Sequence, residues 1–282
     1  MPELPEVEVV RRGLADHLLG ARFEEVEVRH PRANRGQEAP LDQLLPGAVI
    51  EAVRRRGKYL WLELGAERAL FVHLGMSGQM LVGEPGACTS RHLRIRAELS
   101  IPSGQPVELA FVDQRTFGRW LYAPMVEGVP QPVRHIARDP LEADFNAVST
   151  AERMGRSTSQ IKTVLLNQEI VSGIGNIYAD EALWAAQINP TRRARELSQE
   201  ELLAVLAAAR EVMERALAAG GTSFDALYVN VNGASGYFSR SLNVYGRGGE
   251  QCPRCGGEIR REAFSNRSSH YCPACQPPQD SR

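Results

Sequence analysis

The chain has 282 residues, of which 43% are apolar and 24% are charged, and its formal net charge is −1. This composition is typical of a globular protein long enough for two domains, and it excludes a protein covered in basic surface. The sequence contains neither a run of about 18 apolar residues nor a secretory signal, so we expect a cytoplasmic protein without membrane spans.

The N-terminal segment MPELPEVEVV opens a predicted amphipathic helix within residues 1–20. Its apolar positions recur at helical spacing, at Val7, Val10, Leu14 and Leu18. A chain terminus is usually frayed, whereas this one is stiffened by Pro2 and carries Glu3 and Glu6. The ordinary explanation is a solvated acidic start to a helix, and a functional role for this terminus needs support from the rest of the chain.

The sequence changes character between residues 21 and 124. Segments such as RFEEVEVRH and RALFVHLGMSGQMLV alternate apolar and polar residues, and Gly and Pro turns separate them. This pattern predicts a β-sandwich or barrel with a flanking helix over residues 2–124. The Pro-rich stretch that follows shows no sustained periodicity and is predicted to be a linker over residues 125–140.

Helical patterns begin at residue 141. The clearest covers SQEELLAVLAAAREVMERALAAGG, where Ser198 and Glu201 form a predicted capping box and Gly220 a predicted C-cap. Residues 221–240 are rich in Gly, Ser and Asn and predict a mobile loop, which ends a helical domain over residues 141–240.

Two helices joined by the turn SGIGN are predicted within residues 161–190, the first ending near Val171. Gly173 and Gly175 would let backbone N–H groups approach a phosphate at a helix N-terminus. Helix pairs of this kind can bind nucleic acid, but an ordinary helical hairpin has the same pattern.

Four of the five cysteines form the pattern C-x2-C-x16-C-x2-C: Cys252, Cys255, Cys272 and Cys275. Paired CxxC motifs at this spacing indicate one structural Zn²⁺ held by four thiolates, in a module over residues 241–276. The alternative, a pair of disulfides, is disfavoured in a cytoplasmic protein. Cys88 stands alone and is expected to be a buried or inert thiol.

The spacer between the two CxxC motifs predicts a β-hairpin with Arg267 at its tip. By itself this residue could equally be a solvated turn arginine. Seven arginines and four acids lie between Arg240 and Arg282, so the C-terminal end is locally basic. A basic end on a nearly neutral chain favours contact with a polyanion through one face.

Only Lys58 and Lys162 are lysines among the 33 basic residues. A GC-rich genome could cause this bias, but a site that needs a primary amine would also retain a lysine, because only lysine can lose its proton when buried.

Together these segments resemble bacterial formamidopyrimidine-DNA glycosylases, which repair oxidised purines. The resemblance spans the whole chain and rests on several motifs in the order in which the family has them: PELPEVEVVRRGL (2–14), RRRGKYLWLEL (54–64), HLGMSG (73–78), DQRTFGRW (113–120), NQEIVSGIGNIYADEAL (167–183), VYGRGGEQCPRCG (244–256) and NRSSHYCPAC (266–275).

The resemblance implies an α+β multidomain fold: an N-terminal β-sandwich with a flanking helix, a helix–two-turn–helix domain and a four-cysteine zinc-finger β-hairpin. It also implies a monomer that binds double-stranded DNA containing an oxidised base. Because contacts with DNA phosphates do not depend on the bases, we also expect weak, salt-sensitive binding to undamaged DNA.

The resemblance assigns catalysis to Pro2, which becomes the N-terminus once the initiator methionine is removed. A terminal secondary amine can form an iminium with a sugar carbon, the covalent catalysis typical of amines. The resemblance implies that Glu3 protonates the sugar ring oxygen and that Glu6 orients the terminus. Lys58 is then expected to contact phosphate and assist β-elimination, and Arg267 to grip the phosphate beside the lesion and assist δ-elimination.

The remaining matched positions imply contacts with DNA. His92, Arg115 and Asn176 match DNA-contacting residues, and Lys162 matches a lysine tied to recognition of the damaged nucleotide. Met76, Arg115 and Phe117 match the side chains that fill the gap left by a flipped nucleotide. Taken alone, Met76 and Phe117 would be interpreted as core residues.

Two segments depart from the family pattern. The loop 221–237 matches it only loosely, which leaves the base preference open. Residues 153–160 are less basic than in many relatives, with Arg156 the expected phosphate contact. Two alternatives also stay open: a related enzyme for oxidised pyrimidines, whose start usually reads PEGPE, and a damage-binding zinc-finger protein without activity.

Overall fold

The computed structural model describes residues 2–221 and 241–278. The chain divides into two compact units, one formed mainly by residues 2–135 and the other by residues 136–218 and 241–278. Most of the predicted mobile loop, from residue 222 to 240, lies outside the described residues. In the described part of the chain, no helix is long and apolar enough to cross a membrane.

The first unit contains two helices and two antiparallel sheets. Helix α1 spans Leu4–Leu18, and a short helix, α2, spans Leu41–Leu44. The strands are β1 Arg22–Val28, β2 Ala52–Arg56, β3 Tyr59–Glu63, β4 Arg68–His73, β5 Gly78–Gly83, β6 Leu93–Ser100, β7 Pro106–Asp113, β8 Arg119–Val126 and β9 Val129–Pro130. One sheet has the strand order β1-β6-β7-β5 and the other the order β2-β3-β4-β8-β9.

A large apolar core joins helix α1 to both sheets. Alternation along β6 buries Ile95, Ala97 and Leu99 in this core and leaves the residues between them at least partly exposed, as expected for a strand with one face on a core. Phe111 on β7 and Trp120 on β8 belong to different sheets, and their ring centroids lie 6.1 Å apart. The predicted β-sandwich with a flanking helix is therefore confirmed.

The segment predicted as a linker begins inside this unit. Strand β8 continues to Val126 and forms a hairpin with β9, followed by a 3-10 turn over Gln131–Val133. Val133 and Ile136 are buried. The prolines that obscured any periodicity in the sequence occupy a short edge strand and a turn, where their missing N–H groups are tolerated.

The second unit contains four helices and a β-hairpin. The helices are α3 Ala147–Gly155, α4 Ile161–Leu166, α5 Asn176–Ala185 and α6 Gln199–Ala218, and the hairpin strands are β10 Arg260–Phe264 and β11 Arg267–Tyr271. At the start of α6, the Ser198 N–H donates to Glu201 Oε2 (2.7 Å) and the Glu201 N–H to Ser198 Oγ (3.1 Å), so the predicted capping box is confirmed. Gly220, two residues after the end of α6, has φ +78°, the left-handed conformation that commonly follows a helix.

Helix α4 ends at Leu166, earlier than the expected end near Val171. The reason is local, because Asn167 and Gln168 replace helical hydrogen bonds with side-chain ones. Asn167 Oδ1 accepts from the Glu169 N–H (3.0 Å), and Gln168 Oε1 accepts from the Gly173 N–H (2.9 Å). Polar side chains that bond nearby backbone in this way favour turns over helix, and here they build the two turns between α4 and α5.

Candidate active site and metal centre

From Pro2 onward the chain leads directly into helix α1 instead of extending as a tail. Pro2 and Glu3 are buried, and Glu3 is the N-cap of α1. The backbone N–H of Glu3 donates to Glu6 Oε2 at 2.9 Å, in the reciprocal pattern of a capping box. Glu6 therefore fixes the direction in which the chain enters the helix, and two carboxylates lie within a few residues of Pro2.

Lys58 lies in the tight turn between β2 and β3, and helix α1 packs against these two strands. The turn is braced from the helix: Arg55 Nε contacts Glu8 Oε2 at 3.0 Å, and Arg55 Nη1 donates to the Gly57 carbonyl at 3.0 Å. Gly57 has φ +55°, which suits glycine in so tight a turn. Glu8 thus positions the residue that precedes Lys58, a link that the sequence pattern did not reveal.

Glu8 is the centre of a cluster with three arginines. It also contacts Arg11 Nε (2.9 Å) and Arg12 Nε (2.9 Å). Burial alone would raise the pKa of the Glu8 carboxyl, but the hydrogen bond from Arg11 and the charge of Arg55 lower this pKa to about 2. The Glu8 carboxylate is therefore ionised at neutral pH, and it links helix α1 to the β2–β3 turn through Arg55.

Three of the residues matched to DNA contacts meet on the surface of the first unit. Met76, Arg115 and Phe117 are exposed, and Arg115 Nη1 lies 3.5 Å from Met76 Sδ. The Arg115 guanidinium lies 5.7 Å from the centre of the Phe117 ring. Met76 and Phe117 are thus not core residues, and the alternative interpretation of them is wrong.

His92 lies next to this group and is half-buried. Its carbonyl accepts from the N–H of Asp113 (2.9 Å), which ends β7 just before the loop that carries Arg115, and its ring accepts from Arg91 Nε (3.1 Å).

In the second unit, Lys162 is fully buried rather than exposed to a ligand. Its Nζ lies 2.7 Å from Asp180 Oδ1 and donates to the Ser268 carbonyl at 3.0 Å. Asn176 Nδ2 donates to the same carbonyl at 3.0 Å. Lys162 and Asn176 therefore fasten the hairpin to α4 and α5 one residue after Arg267.

Arg267 is the exposed first residue of β11, beside the turn of the hairpin, where the sequence predicted it. Arg156, at the C-terminus of α3, is also exposed.

The four cysteines of the C-terminal module converge on one point. Their Sγ atoms all lie within 4.8 Å of one another, with Cys252 and Cys275 at 3.9 Å and Cys255 and Cys272 at 3.5 Å. A tetrahedral Zn²⁺ with Zn–S bonds of about 2.3 Å separates its sulfurs by about 3.8 Å. The donor set and the spacing both fit one structural zinc ion.

The surroundings of the cysteines support this assignment. Trp184 Nε1 donates to Cys252 Sγ (3.4 Å), and the Gly257 N–H donates to Cys255 Sγ (3.4 Å). Such second contacts orient thiolates towards a metal. The fifth cysteine, Cys88, is half-buried in the other unit.

Comparison with known proteins agrees with this arrangement over the whole chain. Models of the formamidopyrimidine-DNA glycosylase N-terminal domain, of the formamidopyrimidine-DNA glycosylase H2TH domain, and of a zinc finger found in FPG and IleRS match residues 1–120, 136–227 and 249–278. The formamidopyrimidine-DNA glycosylase of Corynebacterium jeikeium is 59% identical over 98% of this chain and 100% of its own length. The chain belongs to the formamidopyrimidine-DNA glycosylase family.

Two further proteins of this family are similar to the chain over nearly its whole length. The Mycobacterium avium formamidopyrimidine-DNA glycosylase is 56% identical over 98% of this chain and 99% of its own. The Lactococcus lactis Fpg protein in complex with DNA containing an abasic site is 33% identical, with a TM-score of 0.87 over 98% of this chain and 100% of that one. Family membership makes the chain a DNA repair glycosylase, a class that typically also has abasic-site (AP) lyase activity.

The sequence patterns did not indicate three residues that hold parts of this candidate site in place: Glu8, Asp113 and Asp180. The available signal for Asp113 was its place at the end of an apolar strand before a turn. No comparable signal existed for Asp180, because the residues that its carboxylate contacts lie far away in the sequence.

Proposed function

We propose that this chain excises oxidised purines, 8-oxoguanine and formamidopyrimidines, from double-stranded DNA and then cuts the strand by β,δ-elimination through a Schiff base at Pro2. The main support is the start of the chain, where Pro2 is buried together with Glu3 at the N-terminus of a helix braced by Glu6 and Glu8. We also propose that it acts as a cytoplasmic monomer.

The terminal amine suits this chemistry. Once Met1 is removed, the lone pair of the prolyl nitrogen attacks C1′ and the bond from C1′ to the base breaks, so that the base leaves with a proton. Glu3 protonates O4′ as the bond from C1′ to O4′ breaks, and the nitrogen, after losing its own proton, forms a C=N bond as an iminium. Burial of the amine and carboxylates limits the water that could compete with them.

Two cations support strand cleavage. Loss of a C2′ proton from the iminium expels the 3′ phosphate, and we propose that the Lys58 amine assists this β-elimination. The second elimination expels the 5′ phosphate, with Arg267 bound to the phosphate beside the lesion. The proposal for Arg267 is supported by its exposure beside the hairpin turn and by the two hydrogen bonds that hold the next residue, Ser268.

The other matched residues serve binding in this proposal. His92, Asn176 and Arg156 contact phosphates, and Met76, Arg115 and Phe117 occupy the gap left by the flipped nucleotide. Lys162 acts on the damaged nucleotide only indirectly, because its amine bonds Asp180 and the hairpin.

Oxidised pyrimidines are the second candidate substrate. The wild-type Lactococcus lactis protein has been solved in complex with DNA containing an oxidised pyrimidine, and that protein is 33% identical to this one. The start PELPE rather than PEGPE still favours purines.

A borohydride trap tests the proposal. Protein incubated with an 8-oxoguanine:cytosine duplex and sodium borohydride should give a covalent adduct, which mass spectrometry places on residue 2 with Met1 absent. Pro2→Gly should lose most of the adduct, while Pro40→Gly, at the exposed N-cap of α2 in the same unit, should not. Tight binding without an adduct would instead indicate a damage-binding protein, and an adduct only with oxidised pyrimidines would overturn the choice of substrate.

A further inference from the structure

The exposed side chains Met76, Arg115 and Phe117, here called the wedge, stand on two neighbouring loops. Met76 belongs to the loop between β4 and β5, and the other two belong to the loop 114–118 between β7 and β8. Contacts of Arg115 with Met76 Sδ (3.5 Å) and with the Phe117 ring (5.7 Å) make them one surface group. A group of exposed apolar side chains tends to lower the solubility of a protein. Its presence therefore indicates a binding function for this surface.

The loop that carries two wedge residues is strained. Thr116, between Arg115 and Phe117, has φ +54° and is buried. A β-branched residue in the left-handed region is unfavourable, and such a conformation persists only where the surroundings impose it. Some other group must therefore hold this loop.

That group is the carboxylate of Asp113. It is fully buried, and its Oδ2 accepts from the Gly118 N–H at 2.7 Å, which closes the loop. Its Oδ1 accepts from the Ser77 hydroxyl and from the Arg115 N–H (3.2 Å). The Arg115 N–H also reaches Ser77 Oγ at 2.9 Å. Because Ser77 follows Met76, one buried carboxylate joins both loops of the wedge.

Further contacts support the same arrangement. Arg35 Nη2 donates to the Phe117 carbonyl (2.9 Å), and its Nη1 donates to the Gly118 carbonyl (3.2 Å). The two loops also touch through their backbones, since a Cβ atom added to Gly75 would lie 2.5 Å from Gly118 N. Contacts within the protein itself therefore support both wedge loops.

We propose that Asp113, acting with Ser77, is a positioning residue that sets the wedge in its DNA-inserting arrangement before DNA is bound. This inference rests on the proposed function. The physical gain is preorganisation, because an ordered loop loses less conformational entropy on insertion into the duplex. Asp113 does not touch the reacting atoms, and its effect passes through Arg115, Phe117 and Met76.

The test compares two substrates that differ in their need for the wedge. When 8-oxoguanine flips out of a duplex, it leaves a gap and an unpaired cytosine. A single-stranded oligonucleotide with an abasic site has neither. Asp113→Asn and the milder Ser77→Ala should each lower kcat/KM on the duplex about tenfold or more, and leave cleavage of the single strand within about twofold. Asp139→Asn, a matched change of a fully buried turn aspartate in the second unit, should leave the ratio of the two activities unchanged.

A double variant distinguishes an effect of Asp113 on the wedge from a general loss of structure. In an Arg115→Ala background, Asp113→Asn should have little further effect on the duplex reaction. Independent, multiplicative losses in the double variant, or equal losses on both substrates for Asp113→Asn and Ser77→Ala, would overturn the inference. If wild-type protein cuts neither substrate, the proposed function itself fails, which is a distinguishable result.

Discussion

Lys162 and Asp180 form an ion pair in which Nζ and Oδ1 are 2.7 Å apart and both side chains are fully buried. The pair connects α4 and α5 with the zinc-finger hairpin, because Asp180 also accepts from the His270 N–H (2.8 Å) and Lys162 donates to the Ser268 carbonyl. Such a pair is costly to break from one side, since the remaining charge stays buried without its partner.

We therefore expect Asp180→Asn to lower the free energy of unfolding by about 3–5 kcal/mol. Denaturant unfolding followed by circular dichroism measures the change. As a control, Glu214→Gln removes the exposed pair with Arg210 and should cost less than about 0.5 kcal/mol. An Asp180→Asn variant as stable as this control would show that the buried pair does not hold the unit together.

Glu8 gives a prediction for pH dependence. Its pKa is lowered from an ordinary 4.5 to about 2 in the folded chain. A lowered pKa means that the carboxylate stabilises the fold above pH 4.5, and that this contribution disappears as the pH falls from 4.5 towards 2. At neutral pH the contribution amounts to at most about 3 kcal/mol.

Unfolding measured between pH 7 and pH 2 checks the prediction for Glu8. The stability difference between wild type and Glu8→Gln should be largest at neutral pH and shrink below pH 4.5. A difference that stays constant over the whole range would contradict the assigned ionisation. The variant should also reduce β-elimination, because Arg55 would no longer hold the turn before Lys58 as firmly.

The sequence predicted those features that depend on local patterns. Alternation located the strands of the sandwich, Ser198 and Glu201 marked the start of α6, and the four cysteines defined the metal centre. It failed where side chains bond the nearby backbone or where prolines interrupt a periodic pattern. The end of α4 depends on side chains that bond the following turns, and the prolines after residue 124 concealed β9.

The candidate site shows a second limit, which is set by contacts between residues distant in the sequence. The sequence distinguishes Lys162 as one of only two lysines. It does not indicate that the Lys162 amine contacts Asp180 and Ser268, the latter 106 positions later in the chain. Met76 and Phe117 likewise stand on two loops that are joined by hydrogen bonds of Asp113 and Ser77. A motif identifies residue types in order, whereas their burial and partners emerge only from the folded chain.

The metal centre yields a third prediction, on zinc release. The purified protein should contain one zinc ion per chain, and Cys255→Ser should lower its metal content and affinity because one of four thiolates is lost. Metal analysis and a colorimetric chelator measure the release. Cys88→Ser, in the other unit, should retain the full zinc content. Equal zinc loss from both variants would contradict the four-cysteine assignment.

Glu3 provides a prediction about chemistry. In the proposed mechanism its carboxyl protonates O4′ of an intact sugar ring. An abasic site already exchanges with its ring-opened aldehyde, so its reaction with the Pro2 amine depends less on this proton. We expect Glu3→Gln to lower excision of 8-oxoguanine by about 10²-fold or more, the usual contribution of a general acid, and to affect cleavage at a preformed abasic site much less.

Single-turnover rates on the two duplexes give the comparison. Glu6→Gln is the matched control, because a glutamine oxygen can still accept the hydrogen bond from the Glu3 N–H that Glu6 now accepts. This control should change both rates only modestly. If Glu3→Gln slowed both reactions equally, the carboxyl would be needed after ring opening, and protonation of the ring oxygen would have to be assigned to another group.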